Sequence, residues 1–338
     1  MTVDEQLDLI RRGTSEIISE QELKAKLESG RTLRVKLGVD PTVAHVTLGW
    51  AVVLRKLRDF QRLGHTACLI IGDFTAQIGD PSGKSKTRPQ LTREEVERNV
   101  EAVSHQVYKI LDHARTEVFF NADWLGKMGF ADVIRLCSRT TVARIMERDD
   151  FTKRWTEHRP ISLHEILYPL CQGQDSVEVR ADIELGGNDQ KFNNLVGRDL
   201  QAAAGQEPQV IVLSPLLIST DGKEKMSQSL GNYVSDVDPP NDMYGKTMSI
   251  PDTLLDNWFE LCTDVPMAEA RALIAKNPYE AKKRLAREIV ALYHSEQAAQ
   301  EGEEYFATTF SKREQPVEAE TATIPAEDVW RPESESTC

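Results

Sequence analysis

The stretch Val35–Lys86, VKLGVDPTVAHVTLGWAVVLRKLRDFQRLGHTACLIIGDFTAQIGDPSGKSK, constrains the fold more than any other part of the chain. A short apolar strand runs into a Gly-Val-Asp-Pro-Thr turn. A helix opens through Leu48-Gly49-Trp50, and a second apolar strand, ACLII, leads on to a Gly-Asp-Pro turn. Strand, glycine turn, helix and strand in that order make a nucleotide-binding crossover unit. The first turn of such a helix presents unpaired N–H groups that suit a phosphate, and Gly49 allows close approach to the backbone.

The same alternation continues. Helices are expected over 3–12, 20–29, 48–62, about 92–112 and 162–175, two helical patches over 129–148, and a further helix from Asp189. Strands are expected at 33–38, 67–72, 118–120, 183–185 and 210–213. The fold class is therefore α/β, a Rossmann-like, mostly parallel sheet with helices on both faces. From about Asp238 the strand signals stop, at Asp238-Pro239-Pro240. The expected units are residues 1–235, a helical domain over 236–312, and an acidic tail over 313–338. The net charge of −13 argues against a general coat for nucleic acid. No run of 18 apolar residues suggests a membrane span, and the acidic, amphipathic start has no signal-peptide core. Five scattered cysteines form no CxxC pair or metal spacing, which fits a reducing cytoplasm and no protein-held metal.

Several side chains suit ligand chemistry, and each has a plain structural alternative. Thr42, and Thr47 at the helix start, suit phosphates, or serve as helix caps. Lys225 and Ser227 lie in a mobile-looking loop, STDGKEKMSQS, that suits a triphosphate or is simply solvated. Tyr168, Gln172 and Asp175 share one helix face by their i, i+4, i+7 spacing, facing either a pocket or water. Gly186, Gly187 and Asp189 suit a ribose at a strand end, or a turn with a helix cap. Two basic clusters, Lys84–Arg88 and Lys282-Lys283-Arg284 with Arg287, suit RNA phosphates or form solvated faces.

Taken in order, Asp40-Pro41-Thr42, Leu48-Gly49, Gly79-Asp80-Pro81-Ser82-Gly83-Lys84, Tyr168 to Asp175, Gly186-Gly187-Asn188-Asp189-Gln190 and Lys225-Met226-Ser227-Gln228-Ser229 resemble the class I aminoacyl-tRNA synthetases. Within that class the chain is similar to the bacterial tyrosyl-tRNA synthetase family, from about residue 4 to about residue 330. The resemblance implies a tyrosine–tRNA ligase that makes tyrosyl-adenylate from tyrosine and ATP, with substrate-bound Mg2+, and passes the tyrosyl group to tRNA(Tyr). It also implies a homodimer. The family's tyrosine pocket maps to Asp80, Tyr168, Gln172, Asp175 and Gln190. Asp175 is expected to accept the phenol O–H, and Lys36 stands where many relatives carry a pocket tyrosine. The ATP site maps to Asp40, Thr42, Gly49, Trp50, Gly187, Asp189, Lys225, Ser227 and Gln228. Thr42, Thr47, Lys225 and Gln228 are expected to stabilise the departing phosphates.

Two features depart from that pattern. Where the family has His-x-Gly-His, this chain has Thr47-Leu48-Gly49-Trp50, and Gln228 replaces the second loop lysine, with Lys223 the nearest substitute. The sequence stops about a dozen residues after Thr323-Ile324-Pro325-Ala326, before most of an S4-type RNA-binding module. An alternative reading is therefore a catalytically weakened paralogue that binds tyrosine or nucleotide without efficient charging.

Overall fold

The computed structural model describes residues 1–42, 44–82, 92–227 and 231–311. Six strands form one sheet: β1 (Glu16–Ile18), β2 (Arg34–Val39), β3 (Thr66–Ile71), β4 (Thr116–Phe120), β5 (Ile183–Gly187) and β6 (Val210–Ser214). Their order is β1-β6-β5-β2-β3-β4. All neighbours are parallel except β1 with β6. The chain builds outward from β2 through β3 to β4, then crosses back to β5 and β6. The reversal falls between β2 and β5, and a crevice opens there at the carboxyl ends of the strands.

Local chemistry explains the elements. TACLII and VIVLS are nearly continuous apolar runs, as strands covered on both faces require. The helix Leu48–Arg62 is capped by Thr47, whose hydroxyl accepts from Trp50 N–H at 3.3 Å. Its apolar stripe of Leu48, Ala51, Val52, Leu54, Leu57 and Phe60 is buried against the sheet and the C-terminal helices. Thr92 and Glu95 form the expected capping box at the head of Arg93–Val107. Strand β1 carries no period-two signal over three residues and is not foreseen. The helix Asp149–Thr156 is likewise unforeseen.

After β6, the helices Pro240–Met248, Leu255–Cys262, Met267–Lys276, Pro278–Tyr293 and Glu296–Phe306 pack into the same apolar core as the underside of the sheet. Two cations tie the head of the chain down, Arg12 to these helices and Lys56 to Leu48–Arg62. Arg12 donates to the carbonyls of Thr263 at 3.0 Å and Val265 at 2.8 Å, ending Leu255–Cys262. Lys56 donates to the Ile10 carbonyl at 2.9 Å, and burial pushes its ammonium down to about 8. Asp264 then pairs with Arg55, with Arg58 at 2.7 Å and with Arg62 at 3.0 Å, all on Leu48–Arg62. Burial alone would raise the Asp264 carboxyl, but the three guanidiniums outweigh it and hold it far below the usual range.

Asp264→Ala is expected to cost about 1 kcal/mol at pH 7, since the half-exposed carboxylate is partly screened by solvent. A depressed carboxyl contributes stability that is present above the unfolded value and lost as pH falls through the folded one. The stability gap between wild type and variant, measured by urea denaturation, should therefore close in strong acid.

Candidate active site

The crevice at the sheet's reversal is a cavity of about 630 Å³, within the range of small-molecule sites. The end of β2 supplies Leu37 to Asp40, and the end of β5 supplies Leu185 to Gly187. The helix Leu163–Glu178 forms one wall, and the 216–227 segment closes the other.

The wall helix presents Tyr168, Gln172 and Asp175 to the cavity on one face, as their spacing predicts. Tyr168 O–H donates to Asp40 Oδ2 at 2.8 Å, and Thr75 O–H donates to Asp40 Oδ1 at 2.7 Å. Gly72 makes this possible. A Cβ there would stand 2.0 Å from Asp40 Oδ1 and 2.4 Å from Thr75 Oγ1. Asp175 is 3% exposed. Its Oδ1 accepts from Trp124 Nε1 at 2.9 Å and its Oδ2 from Asn121 Nδ2 at 3.3 Å. Burial pushes this carboxyl up to about 7, against the opposing pull of the Lys36 charge and of the two donors. It is poised to exchange hydrogen bonds with a buried hydroxyl.

Asp80 stands beside the cavity rather than in its lining. Its carboxylate accepts from Gln190 Nε2 at 2.9 Å and from Ser82 N–H at 2.8 Å. Gln190 itself lines the cavity. Lys36 does not. It is wholly buried beneath the cavity floor, and its ammonium donates to Gln172 O at 2.9 Å, Ser176 Oγ at 2.8 Å and Glu184 Oε1 at 2.9 Å. All three N–H donors are spent, so the expected direct contact with a ligand gives way to support of the wall helix.

At the other end the lining holds Thr42, Thr47, Gly49, Trp50, Gly187, Asp189, Lys225 and Ser227. Lys225 Nζ lies 3.1 Å from Asp189 Oδ2. Gly187 keeps room for that carboxylate, since a Cβ would lie 2.8 Å from Asp189 Oδ1. Asn232 braces the loop, accepting from Ser227 N–H at 2.9 Å and donating to Lys225 O at 3.3 Å. Lys223 is exposed at the hairpin tip, away from the cavity. Gln228, Ser229 and the Lys84–Arg88 cluster lie outside the described residues. Lys282, Lys283, Arg284 and Arg287 are each paired with an acid, Asp252, Glu303, Glu288 and Glu303 respectively, so that cluster is largely neutralised. Among the described residues no group of three or more His, Cys, Asp or Glu side chains could hold a metal.

Known proteins resemble this chain. A family model described as tRNA synthetases class I (W and Y) matches residues 28–311. The chain belongs to that family. It is 52% identical to the tyrosine–tRNA ligase of Moorella thermoacetica, over 98% of this chain and 82% of that one. It is 54% identical to the tyrosine–tRNA ligase of Chlorobaculum tepidum, over 96% and 83%. Among solved structures, the tyrosyl-tRNA synthetase of Archaeoglobus fulgidus complexed with L-tyrosine superposes with a TM-score of 0.74 at 22% identity, covering 89% of this chain and 99% of that one. At that identity the superposition shows the class I fold alone.

Sequence reasoning missed residues that hold the pocket, two of which, Thr75 and Asn121, also line it. Trp124, Asn121, Thr75, Glu184, Arg148 and Asn193 sit on elements remote in sequence and match no local pattern. A glycine directly after an apolar strand, Gly72, was the one available signal.

Asp175 keeps its proton to about 7 in the fold and loses it near 4 when unfolded. The folded state then holds more protons in that window, and its stability falls as pH rises from 4 to 8. Asp175→Asn removes this penalty. Its stability relative to wild type should rise across that range by a few kcal/mol, on the order of the pKa shift, as read from denaturant midpoints at pH 4, 6 and 8.

Proposed function

We propose that this chain is a tyrosine–tRNA ligase. It activates tyrosine with ATP and Mg2+ and transfers the tyrosyl group to the terminal ribose of tRNA(Tyr). The observation that carries this reading is the buried Asp175 carboxyl, held by Trp124 and Asn121 at one end of a cavity whose other end carries Asp189 and Lys225. High identity to tyrosine–tRNA ligases over nearly the whole chain supports it. The comparisons lend nothing to the alternative of a weakened paralogue.

In this reading tyrosine enters phenol first. Its O–H donates to Asp175, while Tyr168, Gln172, Gln190 and Asp80 receive the ammonium end. A phenylalanine leaves the buried carboxylate without that donor, and an unmet buried group costs more than a made bond gains. The ATP ribose takes Asp189, and Lys225 leaves its internal partner for the phosphates. Nucleotide binding thus exchanges one ion pair for two ligand contacts. The carboxylate of tyrosine attacks the α-phosphorus and pyrophosphate departs. A ribose hydroxyl of the tRNA then attacks the adenylate carbonyl and AMP departs. No side-chain nucleophile is required, because positioning and charge stabilisation supply the rate. Thr42, the Thr47 O–H and the first-turn amide of Gly49 face the leaving phosphates, with Trp50 beside them and Gln228 assigned there too. Residues 1–235 carry this chemistry, with a helical domain over 236–312.

A homodimer fits the surface. Phe130 at 81%, Ile134 at 55%, Val142 at 68%, Trp155 at 70% and Leu163 at 82% exposure place large apolar side chains on the inserted 130–163 segment. Among the described residues no helix is long and apolar enough to cross a membrane. The reading places the enzyme in the cytoplasm, where tRNA is charged.

Tyrosine-dependent ATP–pyrophosphate exchange tests the activation step. Exchange above background is expected with tyrosine and not with phenylalanine. Asp175→Asn should weaken tyrosine binding ~10- to 100-fold, the worth of a hydrogen bond to a charged group, and narrow the gap to phenylalanine. Tyrosine binding without any exchange would sink the ligase reading. Unchanged discrimination in the variant would show that Asp175 does not read the phenol.

A further inference from the structure

Arg148 lies at the start of the helix Asp149–Thr156 and is 3% exposed. Its guanidinium is fixed on every side. Asp150 Oδ1 accepts from Nε at 2.9 Å, Ser82 Oγ from Nη2 at 3.0 Å, and the group stacks 4.9 Å over the Phe151 ring. The remaining Nη1 donates to Asn193 Oδ1 at 3.0 Å, and Asn193 is 1% exposed.

From Arg148 the donor and acceptor roles can be followed outward. A guanidinium has no acceptor, so the Asn193 amide must turn its oxygen toward Arg148 and its nitrogen away. Asn193 Nδ2 then donates to Gln172 Oε1 at 2.9 Å and Gln190 Oε1 at 3.1 Å. Each glutamine therefore turns its oxygen to Asn193 and its nitrogen to a carboxylate. Gln172 Nε2 faces Glu184 Oε1 at 3.3 Å, and Gln190 Nε2 faces Asp80 Oδ2 at 2.9 Å. A free amide inverts at little cost, and these two line the cavity.

We propose that Arg148, acting through Asn193, sets the direction in which Gln172 and Gln190 present their amides, and is thereby a positioning residue for the charged head group of the amino acid. The inference rests on the tyrosine reading of the cavity. Each oriented Oε1 keeps one lone pair for the substrate ammonium, and Gln190 Nε2 keeps one N–H for its carboxylate, whereas the second N–H of Gln172 faces the Asn194 amide at 3.0 Å. An inverted glutamine would set its oxygen against Glu184 or Asp80, and offer an N–H where the ammonium needs an acceptor. Arg148 touches neither substrate, so its effect appears as selectivity for the head group.

The test uses Arg148→Met, Arg148→Lys and Asn193→Asp in the full chain. L-Tyrosine binding is read by titration calorimetry, and the KM for tyrosine and for ATP by pyrophosphate exchange. Arg148→Met should weaken tyrosine binding ~10-fold or more and raise the tyrosine KM to match, leaving the ATP KM within about twofold. Arg148→Lys is still donor-only and should recover most of the loss. Asn193→Asp keeps an acceptor for Arg148 but turns a second oxygen on both glutamines, and should weaken tyrosine as Arg148→Met does. Folded Arg148→Met with wild-type tyrosine affinity, or an equal rise in both KM values, overturns the proposal. If Arg148→Met does not fold, wild-type tyrosine affinity in Asn193→Asp overturns it as well. Wild-type protein that binds no tyrosine would instead refute the reading of the cavity, and the inference with it.

Discussion

Lys36 and Glu184 meet at 2.9 Å with essentially no access to solvent, where the growth of the sheet reverses. They are register partners on the parallel strands β2 and β5. Two buried charges are tolerable only when paired and fully hydrogen-bonded, and removing one partner typically costs ~3–5 kcal/mol. Here the satisfaction is nearly complete. Lys36 reaches Gln172 O and Ser176 Oγ, and Glu184 accepts from Gln172, Ser176 and Gln209. The pair therefore does more than join two strands. It fixes the helix Leu163–Glu178 against the sheet and, through the positive charge of Lys36, opposes the rise of the Asp175 carboxyl.

From that anchor the cavity divides into two chemistries. One half is internally satisfied, with the buried Asp175 and the part-exposed Gln172 and Gln190 each hydrogen-bonded to neighbouring side chains. The other half is looser, and its opposite charges, Asp189 and Lys225, satisfy each other across 3.1 Å. A rigid half suits selection of one side chain, and an internally paired half suits a charged ligand that must enter and leave. Thr47 stands in this second half, where its oxygen caps the start of the motif helix.

Much of this was legible in the sequence because it is local. Apolar runs of five or six residues gave the parallel strands, and a capping Thr before an amphipathic stretch gave Leu48–Arg62. The i, i+4, i+7 spacing placed Tyr168, Gln172 and Asp175 on one face. What escaped is non-local. Lys36 reads as a pocket residue because it stands where many relatives carry a pocket tyrosine, yet Glu184, 148 residues later, draws its ammonium beneath the floor. Trp124 and Asn121 reach Asp175 from a short helix and its preceding residue that no periodicity announces. Strand β1 is too short for its pattern to differ from chance.

The central claim is that the two halves work in sequence on one amino acid and deliver it to tRNA. Incubating the purified chain with labelled L-tyrosine, ATP, Mg2+ and tRNA(Tyr), and measuring label precipitated with the RNA, tests it most directly. The account predicts label on the tRNA that requires ATP and is not displaced by excess phenylalanine. Tyrosine bound and adenylate formed, with no label reaching the tRNA, would contradict it.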